Sequence, residues 1–98
     1  MTLCTGGSNV AIGHQALKAS NSSTGHTAIG YNALISNTSA NYNTAVGFDA
    51  LFSNTTGGDN TAVGTNSLRA NTTGANNNAF GRDALLSNTT ANNNVAVG

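Results

Sequence analysis

Glycine recurs at Gly13, Gly30, Gly47, Gly64, Gly81 and Gly98, seventeen residues apart each time, with no insertion anywhere in the series. A spacing kept that strictly sends every segment along the path of the one before it. The chain is thereby confined to a solenoid or stacked roll. Each glycine closes the same tetrad: Val10-Ala11-Ile12-Gly13, Thr27-Ala28-Ile29-Gly30, Thr44-Ala45-Val46-Gly47, Thr61-Ala62-Val63-Gly64, Asn78-Ala79-Phe80-Gly81 and Val95-Ala96-Val97-Gly98. Four residues beyond the first five glycines stand Leu17, Leu34, Leu51, Leu68 and Leu85, each preceded by Ala or Ser. A polar stretch follows, with Asn37, Asn54, Asn71 and Asn88 in register.

Seventeen residues are too few for a two-helix repeat, which needs roughly 30 or more. Asn, Thr and Gly also disfavour helix. The tetrads alternate as strands do, placing Thr27 and Ile29 on one side and Ala28 and Gly30 on the other. Residues 33–36 read as a second short strand with Leu34 turned inward. The Asn/Thr/Gly stretch after them has turn chemistry. The expected fold is all-β, a parallel β-solenoid or β-roll of six 17-residue coils over residues 9–98, with residues 1–8 as an irregular N-terminal segment or cap.

Stacking at roughly 4.7–4.9 Å turns each repeated position into a column. Two apolar columns are the expected core: Leu17, Leu34, Leu51, Leu68 and Leu85, and Ile12, Ile29, Val46, Val63, Phe80 and Val97. Asn9, Asn43, Asn60, Asn77 and Asn94, with His26 in the second coil, form an expected ladder of side-chain amides that satisfy one another. Two large apolar residues per coil, each stabilising by roughly 1.5–3 kcal/mol when buried, make a thin core against the entropy of 17 ordered residues. Association with further copies of the chain, as a homo-oligomer or a head-to-tail polymer, is the expected remedy. The last coil looks like an interior one, as expected either of a chain cut from a longer one or of an end covered by the next molecule.

Composition narrows the function. Charged residues are 6% of the chain, Lys18, Arg69 and Arg82 balancing Asp49, Asp59 and Asp83. Binding to nucleic acid, which depends on many phosphate contacts, is not expected. No apolar run reaches membrane-spanning length, so membrane insertion is not expected. Met1 is not followed by the regions of a secretory signal. The single Cys4 cannot form an internal disulfide. His14 and His26 occupy different places in the coil, and no carboxylate or Cys column accompanies them. Neither catalysis, nor a cofactor, nor a metal site is expected, and the Asp-bearing nonapeptide of calcium solenoids is missing.

The tetrads, each introduced by polar residues, resemble the head repeats of trimeric autotransporter adhesins. Similar Asn-Thr-Ala-Val-Gly and Ala-Leu repeats occur in phage tail-fibre-like extracellular proteins. The resemblance spans residues 9–98. It implies a left-handed parallel β-roll in which three chains share a core, and duty in a fibre at a cell or virion surface. The coil here is longer than is usual in those heads, by the Asn-Thr-Thr-Gly type segment, and no coiled-coil stalk or membrane anchor is visible in these residues.

The leading functional expectation is a structural repeat protein of an extracellular filament or fibre, stacking coil on coil and chain on chain. The alternative is an adhesin or phage receptor-binding fibre head, contacting a surface glycan through His14, Tyr31, Phe48, Thr65 and Arg82. A minor alternative is an ice-binding solenoid, through Thr27, Thr44 and Thr61, although Val10, Asn78 and Val95 interrupt that column. Asn37, Asn54, Asn71 and Asn88, and Asn21 as well, each begin an Asn-x-Ser/Thr sequon. In a eukaryotic secreted protein these would carry a row of glycans, and otherwise they are turn residues.

Overall fold

The computed structural model describes residues 7–20 and 23–98. The expected cap, with Cys4, lies largely outside the described residues, as does the sequon residue Asn21. Six strands stack in chain order into one parallel sheet: β1 Val10–Ile12, β2 Thr27–Ile29, β3 Thr44–Val46, β4 Thr61–Val63, β5 Asn78–Phe80 and β6 Val95–Val97. The register never slips. Ala28 pairs with Ala45 and Ala45 with Ala62, so the protein is an all-β parallel solenoid with a 17-residue pitch.

The strands are three residues long because glycine ends each one. Gly47 has φ 134°, and a Cβ there would lie 2.7 Å from the backbone carbon and oxygen of Gly64. That conformation and that closeness together admit only glycine. The column lets adjacent coils touch backbone to backbone at the corner, where Gly64 N donates to Val46 O at 2.8 Å.

Beyond the corner the structure differs from expectation. The proposed second strand, residues 33–36, is a run of turns. In the coil after Gly47, Asp49 and Leu51 have φ of 57° and 52°, and their neighbours lie outside the left-handed region. Alternate amides then have alternate partners. Ala50, Phe52 and Asn54 donate to the carbonyls of Gly47, Asp49 and Leu51 three residues back, at 3.2–3.3 Å. Asp49 and Leu51 donate instead to Tyr31 O and Ser67 O in the adjoining coils, at 2.9 and 3.0 Å. A strand would have extended this side of the coil. The alternating ribbon shortens it and still bonds coil to coil.

The core is correspondingly narrow, and this overturns half of the expected core. Ala28, Ala45, Ala62 and Ala79 are fully buried, facing the leucine column, in which Leu17, Leu34, Leu51 and Leu68 are 0–1% exposed. Leu85 is partly buried against the same cluster. Ile12, Ile29, Val46, Val63, Phe80 and Val97 lie on the outer face of the sheet: Ile12 is 51% exposed, Phe80 41% and Val97 80%. Alternation separates the two columns but does not say which turns inward. The cross-section decides it. With leucine filling the centre, only a methyl group fits on the opposing strand.

Candidate functional site

Among the described residues no cavity opens in the molecule, and no group of three or more His, Cys, Asp or Glu is gathered. No helix is long and apolar enough to cross a membrane. What the fold presents is a buried polar half, an outer sheet face and a corner of stacked rings.

The buried half holds two asparagine columns. In the first, Asn54 Nδ2 donates to Asn37 Oδ1 at 3.2 Å and to Gly57 O at 2.9 Å. Asn71 repeats this with Asn54 and Gly74 at 2.8 and 3.0 Å, and Asn88 with Asn71 and Ala91 at 2.9 and 3.1 Å. Each amide thus closes the turn of its own coil and ties that coil to the one before. Glycans at Asn37, Asn54 and Asn71 do not suit this arrangement. Asn37, Asn54 and Asn71 are fully buried, and the nitrogen that would carry the sugar is the one that builds the ladder. Turn chemistry accounts for the Asn-x-Ser/Thr pattern.

In the second column the asparagines bond to backbone. Asn60 Oδ1 accepts the amide of Asn77 at 2.9 Å, and its Nδ2 donates to Gly74 O at 2.8 Å. Asn43 and Asn77 do the same one coil either side. His26 stands in this column with 1% of its surface exposed. Its amide donates to Asn9 Oδ1 at 2.8 Å, its Nδ1 accepts the amide of Asn43 at 3.1 Å, and its Nε2 lies 2.8 Å from Ala40 O. A backbone N–H only donates and a carbonyl only accepts, so Nδ1 carries the lone pair and Nε2 the proton. Asn37 Nδ2, 3.1 Å from Nε2, is therefore a second donor beside it, also directed at Ala40 O at 3.3 Å.

The outer sheet face carries two columns. Ile12, Ile29, Val46, Val63, Phe80 and Val97 run beside Val10, Thr27, Thr44, Thr61, Asn78 and Val95, and no charged residue interrupts either. The threonines of the middle coils are half-buried. At the adjoining corner, His14 stacks on Tyr31 at 5.3 Å between ring centroids and 14° between planes, and Tyr31 on Phe48 at 5.2 Å and 11°. Thr65 and Arg82 end this ridge. The shared register of His14, Tyr31 and Phe48 was the signal for the stack, and it is legible once they are seen as one column.

Arg82 apart, the paired charges lie off this ridge. Asp49 accepts from Arg69 Nε at 3.3 Å, and the Arg69 guanidinium sits 4.7 Å from the centre of the Phe52 ring. Arg82 and Asp83 pair at 3.8 Å on the surface. The exposed Arg82–Asp83 pair stabilises by about 1 kcal/mol at most.

No protein-family model matches the chain, and no curated protein or solved structure matches it either.

Proposed function

We propose that the chain is a structural segment of an extracellular filament or fibre, a stackable rod that associates with further copies of itself. The observation that carries this reading is the outer sheet face. It is uncharged and ridged at the strand spacing, with Val10, Ile12, Phe80, Val95 and Val97 each more than 40% exposed. Exposed apolar surface marks a surface of association. Here the most exposed residues sit in the end coils, and Ile29, Val46 and Val63 continue the column between them half-buried. A second copy suits it on geometry. Two faces with the same ridge spacing interlock along their whole length, which a partner without the 17-residue pitch cannot match. The backbone bonding from coil to coil is also repeated in the same register, so further coils, of this chain or another, extend the rod with the same backbone bonds. The extracellular placement rests on the resemblance to surface-fibre repeats.

The test is light scattering and electron microscopy of the wild type beside a Val46→Lys/Val63→Lys variant. The wild type is expected to form oligomers or filaments, and the variant monomers of unchanged circular dichroism. A wild type that stays monomeric at high micromolar concentration would overturn the reading. The exposed ring ridge favours a second one, a fibre head that contacts surface glycans. Discrete trimers that bind a glycan array, and lose that binding in Tyr31→Ala, would support it instead.

A further inference from the structure

Five coils offer an asparagine at the position that leads into the strand, and the second offers His26. Both residues present an acceptor to the amide of the next coil and a donor to a backbone carbonyl. They differ in one respect. The asparagine amide keeps its acceptor at every ordinary pH, whereas the imidazole has one only while neutral.

We infer that His26 makes the joint between β2 and β3 acid-labile, so that the first two coils are released from the rod when the imidazole is protonated. A proton on Nδ1 would set an N–H against the N–H of Asn43, which now donates to that atom at 3.1 Å. The Asn43 amide is buried inside the coil and has no other acceptor among the described residues. The charge itself would sit among Asn9, Ser23, Asn37, Ala40 and Asn43, which bond to the imidazole, to its backbone or to one another. None of these carries a compensating charge. The charged side chains nearest in sequence are Lys18 in the first coil and Asp49 in the third. Lys18 is exposed, and Asp49 is held by Asn32 and Arg69.

Burial pulls the imidazole below its ordinary 6.5, outweighing its bond to the Ala40 carbonyl. A base whose folded value is depressed lends its stability in full above the unfolded value and loses it as pH falls through the folded one. The joint is therefore firm at neutral pH and weakens below about 6.5. The joint between β4 and β5, held by Asn60 at the equivalent place, has no such dependence and serves as a control within the same molecule.

Amide hydrogen exchange reads both joints at once. Thr27, Asn43 and Gly47 donate across the first, and Thr61, Asn77 and Gly81 stand at the equivalent places for the second. The ratio of their protection factors is expected to fall by up to about tenfold per pH unit below 6.5, and to stay flat in His26→Asn. A ratio that is flat in the wild type overturns the inference, as does the same slope in His26→Asn. Should that variant fail to fold, the imidazole nitrogen shifts of the wild type decide. A proton on Nδ1 at neutral pH overturns the inference, and a bare Nδ1 that is protonated only as the first joint opens supports it.

Discussion

The leucine column stores a conflict at each residue. Leu17, Leu34, Leu51, Leu68 and Leu85 all have φ between 51° and 57°, a left-handed backbone that costs a residue with a Cβ roughly 1–2 kcal/mol. Burying the leucine side chain returns about 1.5–3 kcal/mol, so the column is retained at a small net gain per coil. The balance makes an unusual prediction. At an ordinary buried site leucine to glycine is worse than leucine to alanine. Here Leu51→Ala is expected to destabilise by about 2–5 kcal/mol, while Leu51→Gly, which sheds the strain, is expected to cost no more. Urea midpoints of the two variants decide it, and a Leu51→Gly clearly below Leu51→Ala would remove the strain argument. The asparagine and aspartate column beside it, Asn32, Asp49, Asn66 and Asp83, tolerates the same φ more easily, because short polar side chains visit this region readily.

At the scale of the strand and its corner, glycine positions separate into two kinds. A Cβ at Gly47 meets backbone of the adjoining coil at 2.7 Å, and φ is far into the glycine region, whereas one at Gly58 meets Asn41 O at 3.2 Å and Asn41 N at 3.9 Å. Gly47→Ala is therefore expected to abolish cooperative thermal unfolding, and Gly58→Ala to lower the midpoint by a few degrees at most. The corner, the pitch, the strand positions and the leucine column were all legible in the sequence, because each is written at one fixed offset and repeated. The two asparagine columns were legible as columns, but the amide-to-amide ladder runs through Asn37, Asn54, Asn71 and Asn88. It does not run through the expected Asn43, Asn60 and Asn77, which bond to backbone. Two other things were not legible. Ala33-Leu34-Ile35-Ser36 has the apolar content of a strand, and nothing in its side chains announces that the backbone alternates hand there. The Thr-Ala-Val alternation likewise leaves inside and outside undecided. Only the narrowness of the turned ribbon opposite places alanine within, and so moves Ile12, Ile29, Val46, Val63, Phe80 and Val97 from the expected core to the outer face.

For the whole molecule, each strand pairs only with the strands directly above and below it, so stability is close to a sum over neighbouring coils. Removing one complete repeat, residues 48–64, joins Gly47 to Thr65 in phase. The shortened chain is expected to keep the same circular dichroism per residue, with its long dimension reduced by about 4.8 Å in X-ray scattering. Loss of the folded signal would show that the coils are not interchangeable. Near-interchangeability has a cost of its own. A chain displaced by one whole coil during folding recovers almost every backbone bond, so the repeats alone cannot tell a strand which neighbour is its own. The irregular residues can. His14, Tyr31 and Phe48 stack only in their native order, Arg69 reaches Asp49 across one coil, and His26 meets Asn43 at a single level of the stack. What look like blemishes in the repeat are addresses, and they let an almost periodic chain find one alignment among several near-equal ones.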